Sequence, residues 1–373
     1  MTNLPKTARA ALMYDYNEEL RVEEVPVPRA DPGALVVKVD VSSVCGSDVH
    51  TWRGAMNPLL SIKPPLVLGH EVVGTVVEVG EGADLDSVGN PVRVGDRVIW
   101  EHASCRQCEA CTILREPTLC PNRRIGMFHD ARTYPYTAGG FSEYSYVWPA
   151  AGRIRVPDAL SSEVAAVGSC AVRTVINAFE RVGRIDTSSR VLVQGTGPLG
   201  LFAVAVASRF NPRQLIVIGA PANRIEVAKR WGATDIISVE EQRTADDRVA
   251  AVNTLTDGGA DVLFEMSGAP GAFAEGVRMA RRAARYMVVG TVGGDPQLVD
   301  AARIVARQLT IIGTLSSDIG SYHGALEFLE RNQGTFDWNA LFSDRRYSLS
   351  ESTEALESLR SMREIKPLIV PSL

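Results

Sequence analysis

Long apolar runs are missing from this 373-residue chain, and with them any stretch of membrane-spanning length. Residues Met1 to Tyr16 also lack the charged-then-apolar pattern of a secretory signal. The expectation is a cytoplasmic protein with no membrane partner. An excess of one charge sign is missing too. Lys and Arg number 39 against 44 Asp and Glu, a formal net charge of -5, with the signs interspersed. No basic stripe results, so nucleic acid is not an expected partner. No internal repeat or low-complexity tract appears. Cysteine is sparse, with six in the chain. In a reducing compartment these are not expected to form disulfides, so their spacing is read for metal.

What is present is ordinary for a soluble globular protein, with 45% apolar and 22% charged residues. The length favours two domains, and a chain of this size buries roughly three quarters of its unfolded surface. Two textures alternate. Up to about residue 157, short Val- and Gly-rich runs (Leu35–Val39, Val72–Val79, Val92–Ile99) are punctuated by turns at Gly80, Gly82 and Gly95-Asp96. This predicts an antiparallel or barrel-like β unit. From about residue 187, strands alternate with helices: Val191–Gln194, Leu199–Arg209, Leu215–Ile218, Asn223–Trp231, Asp235–Ser238, Val262–Glu265, Tyr286–Val289 and Leu309–Ile312. That alternation predicts βαβ crossovers and a doubly wound parallel sheet. Amphipathic helices (Ser321–Asn332, Ser350–Met362) and a last strand at Pro367–Val370 close the chain.

Cys105-x2-Cys108-x2-Cys111-x8-Cys120 gathers four thiols into one short polar loop. Four sulfurs complete the tetrahedron zinc prefers and leave no open position, so such a site is structural. Four unmetallated thiols are the plain alternative, against which their tight clustering counts. The other two cysteines lie apart, Cys45 in Val-Cys-Gly-Ser-Asp-Val-His and Cys170 in Gly-Ser-Cys-Ala-Val-Arg-Thr, while His70-Glu71 opens a strand. Two thiolates and one imidazole would hold zinc with a fourth position free for water or substrate. Taken singly, a lone Cys reads as a small buried hydrophobe and His-Glu as an ordinary polar pair. Glu163 is the other ligand type near Cys170.

Val191-Leu-Val-Gln-Gly195-Thr-Gly197-Pro198-Leu199-Gly200 reads as strand, glycine turn and helix. The first glycine permits the tight turn, the second lets a pyrophosphate approach, and the third lets helix and strand pack. The helix start offers free N–H groups to phosphates. A glycine turn without cofactor is the bland alternative. The next strand should end in an acid that binds the adenosine ribose of NAD, yet it runs Ile218-Gly219-Ala220-Pro221-Ala222-Asn223-Arg224. The missing carboxylate leaves room for NADP, but no basic residue follows at once, and NAD is the expectation.

Gly69-His70-Glu71-x2-Gly74-x5-Gly80-x2-Ala83, the turn Gly95-Asp96-Arg97-Val98 and the order of all these features resemble the zinc-dependent medium-chain alcohol dehydrogenase family. The resemblance implies a GroES-like β-barrel catalytic domain (1–172 with 316–373) and a Rossmann cofactor domain (173–315). It implies two Zn2+ per chain, the catalytic one on Cys45, His70 and Cys170, with Glu71 able to approach the ion. Asp48 would hold the other ring nitrogen of His70, and Ser47 and His50 would relay the alcohol proton to solvent. Thr174 would sit beside the nicotinamide, Lys366 would pair with the pyrophosphate, and Arg224 occupies a place often basic in the family. A homodimer or homotetramer is implied as well. Two departures stand out: the x8 gap is one residue longer than the commonest spacing, and Ser169-Cys170 replaces the Glu-Pro of many polyol and threonine dehydrogenases.

The expected reaction moves a hydride between an alcohol and NAD(P), the zinc polarising the oxygen. The Cys170 segment resembles relatives that oxidise secondary, cyclic or bulky alcohols, monoterpene alcohols among them. The substrate wall would draw on Trp52, Met56, Leu59 and the loop Met127–Tyr136. Polyol, amino-alcohol or hydroxy-phosphonate oxidation is the alternative within the superfamily. Outside it stand a non-catalytic zinc-binding module, whose trace would be loss of Cys45 or His70, and a zinc-free quinone-type reductase, which lacks both cysteine sets.

Overall fold

The computed structural model describes residues 4–56, 62–290 and 296–373. The chain divides into two compact units, Met1–Arg173 with Ser316–Leu373, and Thr174–Leu315. No helix among the described residues is long and apolar enough to cross a membrane.

The first unit is built on antiparallel strands β1 (Thr7–Met13), β2 (Arg21–Pro26), β3 (Leu35–Ser43), β4 (Leu66–Val67), β5 (Glu71–Val79), β6 (Arg97–Trp100), β7 (Tyr144–Val147) and β8 (Arg153–Arg155). Strands β1, β2 and β4 form a three-stranded sheet, and β3, β5, β6 and β8 run through a second sheet on which β7 pairs with β3. Val37, Val76, Val98 and Tyr146 meet in one apolar cluster, which explains the near-continuous valine runs of β3 and β5. The expected strand Val92–Ile99 forms only from Arg97 onward. Gly95 takes a φ of +97° and the Asp96 carboxylate accepts the Arg93 N–H at 2.7 Å, so turn chemistry wins over the apolar pattern there.

The second unit is one parallel sheet of β9 (Arg190–Gln194), β10 (Gln214–Gly219), β11 (Asp235–Ser238), β12 (Ala260–Glu265), β13 (Ala280–Val288) and β14 (Thr310–Gly313). Its spatial order is β11-β10-β9-β12-β13-β14, the doubly wound order in which the chain reverses direction beside β9. Helix Pro198–Ser208 follows β9, with proline at its first turn and Leu201 to Ala207 all buried.

After helices Ile319–Arg331 and Ser352–Arg360, the chain ends in β15 (Leu368–Ile369), which returns to the first unit. Leu368 pairs with Ser43 and Ile369 with Ser42, while Ser43 pairs on its other side with Glu71. This register brings three distant segments to one place.

Phe264 is fully buried and stacks on Phe179 with ring centroids 4.3 Å apart. Phe264→Ala is expected to cost about 3–5 kcal/mol, read as a lower urea midpoint. An unchanged midpoint would contradict this packing.

Candidate functional site

Helix Gly46–Trp52 opens with Cys45 at its N-cap. Asp48 in its first turn accepts the Cys45 N–H at 2.9 Å, the Gly69 N–H at 3.0 Å, and lies 3.1 Å from His70 Nδ1. It therefore ties Cys45 to His70 and leaves the other ring nitrogen, Nε2, to face a ligand. Gly69 has a φ of +90°, and a Cβ there would come within 2.6 Å of Phe141, so the approach to His70 admits only glycine.

Cys170 sits in a π-helical turn, Gly168–Val172, between helices Ser162–Val167 and Arg173–Val182. Such turns are rare and concentrate at functional sites. Ser169 Oγ accepts the Val72 N–H at 3.0 Å, pinning this turn to the start of β5. Glu163 is engaged elsewhere, with Arg346 at 2.7 Å.

One donor atom from each of Cys45, His70, Glu71 and Cys170 lies within 4.8 Å of every other. Glu71 is fully buried; its Oε2 accepts from Ser43 and Lys366, while its Oε1 is buried with no partner. An orphaned carboxylate oxygen beside two thiols and an imidazole fits a divalent cation. The hydrogen bond between the two thiols, helped by burial, pushes Cys45 up to about 12, and the same hydrogen bond lowers Cys170 against the opposing effect of its burial. For His70, the raising effect of Asp48 and Cys45 outweighs burial. Burial lifts Glu71 to about 7 against the pull of Lys366.

The second cysteine set also converges. Sulfur separations are 3.5 Å (Cys108–Cys111), 3.8 Å (Cys108–Cys120) and 3.5 Å (Cys105–Cys120). Zinc–sulfur bonds of about 2.3 Å give tetrahedral edges near 3.8 Å, so this set fits zinc too. The long last gap is taken up by Arg115 at a φ of +56° and a 3-10 turn at Pro117–Leu119.

In the other unit, Gly195 has a φ of +110°, and a Cβ on Gly200 would lie 2.0 Å from the Gly195 carbonyl. At Gly197 a Cβ would meet nothing within 4 Å, so the backbone faces open space where a pyrophosphate could approach. Pro198 and Leu199 supply the helix's first turn, and Thr174 is buried at the start of helix Arg173–Val182. Thr196 Oγ donates to the Ala220 carbonyl at 2.7 Å, holding the loop after β10 against the glycine turn.

Several expected placements change. Lys366, read as a pyrophosphate partner, is buried and pairs with Glu71, also donating to the Val44 carbonyl at 3.2 Å. A buried ammonium needs a counter-charge, and Glu71 supplies it. Arg224 is likewise buried rather than presented at the surface. Ser47 Oγ lies 4.0 Å from Cys45 Sγ, but no hydrogen bond joins Ser47 to the exposed His50 among the described residues. Of the expected substrate wall, Trp52 is buried with its indole N–H on the Glu18 carbonyl at 2.7 Å. Tyr134 packs edge-on against Tyr146, Met56 is buried, and Leu59 lies outside the described residues. Met127 does line a cavity of about 10 Å³ with His70, Trp100, Glu101, His102 and Trp148.

Sequence reasoning missed Ser43, Ser169, His102 and the true partner of Lys366. The ring of His102 lies 6.4 Å from that of His70; burial, then Arg123, His70 and Arg173, hold its pKa well below 6.5. Only its place three residues before Cys105 could have flagged it.

Residues 31–158 match the alcohol dehydrogenase GroES-like domain and residues 198–331 the zinc-binding dehydrogenase domain. The chain is 31% identical to 5-exo-hydroxycamphor dehydrogenase of Pseudomonas putida, covering 98% of this chain and 99% of that one. It is 30% identical to sorbitol dehydrogenase of Bacillus subtilis, covering 99% of each. Among solved structures, an alcohol dehydrogenase of Thermotoga maritima matches with a TM-score of 0.89 and 30% identity, covering 98% of this chain and 99% of that one.

Two expectations follow from the donor geometry. Asp48→Asn should weaken zinc retention by about 10–100-fold, measured by chelator competition; retention equal to wild type would remove Asp48 from the metal's support. Because the Cys45 thiol holds its proton up to about pH 12 without metal, zinc loading must displace it. Loading metal-free protein at pH 8 in weakly buffered solution should therefore release at least one proton per chain, and affinity should rise with pH. Titration without acidification would contradict thiolate ligation.

Proposed function

The chain belongs to the zinc-dependent medium-chain alcohol dehydrogenase family, and on that premise we propose that it oxidises secondary alcohols with NAD at a zinc ion held by Cys45, His70 and Cys170. The observation that carries the site assignment is the convergence of those three donors with the orphaned Oε1 of Glu71. When bound, the ion supplies Lewis acidity that lowers the pKa of an alcohol hydroxyl, as it lowers that of water, and the nicotinamide takes the hydride.

The protein's own residues do the rest. Asp48 holds His70 by Nδ1. Lys366 neutralises one oxygen of Glu71 while the other stays free to meet the ion. Ser47 takes the hydroxyl proton and passes it to His50, one helical turn on, once the two side chains rotate into contact. Partial desolvation, then the neighbouring Arg53, lowers the His50 pKa, which favours the neutral form able to accept a proton. Gly197 and the helix start behind it receive the pyrophosphate.

NAD is favoured over NADP because the loop after β10 offers no free cation for a 2′-phosphate: Arg224, its nearest arginine, is buried. The four cysteines 105, 108, 111 and 120 hold a second, structural zinc, giving two per chain. We place the enzyme in the cytoplasm as a homodimer or homotetramer; the exposed edge strand β14, with its own Ile311 and Val305 of the preceding helix, offers the surface for self-association. The similarity to sorbitol dehydrogenase keeps polyol oxidation as a second reading.

Steady-state rates with NAD and NADP over cyclic secondary alcohols, sugar alcohols and threonine test this. Cyclic alcohols with NAD should give the highest kcat/KM. Cys45→Ser should abolish turnover while dinucleotide binding survives, and activity near wild type would overturn the site. Metal analysis should find about two zinc ions per chain, and Cys111→Ser should chiefly lower the melting temperature. Unchanged melting with full zinc would mean the cysteine lobe binds no metal.

A further inference from the structure

Two guanidinium groups in the first unit share one hydroxyl. Arg123 Nη2 donates to Ser316 Oγ at 2.9 Å, and Arg173 Nη1 donates to the same oxygen at 2.8 Å. Their other acceptors are neutral. Arg173 donates to the Ser169 carbonyl at 3.1 Å and to Ser317 Oγ at 3.4 Å, and stacks over the Tyr322 ring at 5.1 Å. Arg123 donates to the Thr118 carbonyl at 3.4 Å, while its Nε is buried with no partner. Neither guanidinium forms an ion pair with a carboxylate among the described residues.

The acids nearby are taken. Glu101 pairs with Arg106 and accepts the Gly152 N–H; Asp318 faces Arg106 at 3.4 Å and caps helix Ile319–Arg331; Glu71 pairs with Lys366. Arg106, Arg123 and Arg173 thus stand against Glu101 and Asp318; the side chains of Arg106 and Asp318 reach solvent, whereas Arg123 is half-buried and Arg173 is buried. Like charges sharing an acceptor in such a place repel strongly unless an anion joins them. The thiols of Cys45 and Cys170 favour the charged form of Arg173, but as metal donors they face a dication that outweighs them.

The location is next to the chemistry. Arg173 lies three residues past Cys170, and both arginines act on the half-buried His102, whose ring neighbours that of His70. Ser316, which they share, is held at a φ of +63°. A planar fork of N–H donors matches a carboxylate or a phosphorus oxyanion, and the unpartnered Nε of Arg123 is a donor that such a group would satisfy.

We propose that Arg123 and Arg173 bind an oxyanion carried by the substrate, so that the alcohol oxidised at this site bears a carboxylate, phosphate or phosphonate group besides its hydroxyl. This rests on the dehydrogenase reading above and narrows its substrate class.

The test uses zinc-replete enzyme, NAD and size-matched alcohols: 3-hydroxybutyrate, 2-hydroxypropylphosphonate and 2-butanol. The kcat/KM of at least one anionic alcohol should exceed that of 2-butanol by about tenfold or more, as one charge-assisted contact provides; which of the two leads separates carboxylate from phosphonate. Arg123→Gln should erase about tenfold of that preference while zinc content and melting temperature hold. Should that variant not fold, Arg173→Lys, which keeps the charge and loses the fork, should show the same loss. Independently of turnover, calorimetric binding of inorganic phosphate to the NAD-bound enzyme should weaken about tenfold in the variant. Turnover of 2-butanol equal to that of both anionic alcohols, with phosphate binding unchanged by either variant, overturns the oxyanion site and leaves the dehydrogenase reading standing. Failure of zinc- and NAD-loaded enzyme to oxidise any alcohol overturns both.

Discussion

Asp48 is the carboxylate on which the meeting of Cys45 and His70, at the candidate metal centre, depends. It is fully buried, and a buried charge survives only where donors surround it. Here the backbone N–H groups of Cys45 and Gly69 and the ring of His70 close on its two oxygens. Cys45 begins a helix and His70 precedes a strand, so one side chain joins two elements that share no sheet register. Charge-assisted hydrogen bonds of this kind contribute about 1.5–3 kcal/mol each. They also set ring orientation, without which the imidazole would be a ligand only by chance.

A second buried charge layer lies beneath. Lys366 and Ser43 both reach Glu71 Oε2, and Lys366 extends to the Val44 carbonyl. The last strand makes this possible: β15 lies along β3 so that Leu368 faces Ser43, and the Val44 N–H donates to the Pro367 carbonyl at 2.9 Å. The C-terminus therefore reaches the candidate metal site. Its lysine balances a carboxylate that would otherwise sit uncompensated beside two cysteine sulfurs, and one oxygen of that carboxylate has no partner.

Charge is less evenly matched on the far side of Cys170. Asp48 and Glu71 each have partners that account for their burial, whereas Arg123 and Arg173 have only neutral acceptors. The candidate metal centre is thus flanked by one region whose charges pair within the protein and another where the proposed substrate oxyanion would supply the missing counter-charge. A dehydrogenase that must hold its substrate's hydroxyl at one fixed point gains orientation from a second anchor.

Features carried by short-range spacing were legible without a structure. The four cysteines from 105 to 120 and the glycine turn from 195 to 200 each act within one loop, where chain geometry alone brings the groups together. The apolar runs of β9, β10 and β12 likewise announced a buried parallel sheet. Residue type made Cys45, His70, Glu71 and Cys170 candidates, but nothing local could show that they meet. Lys366 lies 295 residues from Glu71, and its partner follows from how β15 registers against β3. Ser169 and the paired arginines emerge only when the π-helical turn, β5 and the loop at Ser316 are in place. Local sequence decides which chemistry is on offer, because ligand type and turn preference belong to single residues and their neighbours. Tertiary structure alone decides which charges are buried together, because desolvation and pairing depend on groups the chain brings from its far ends.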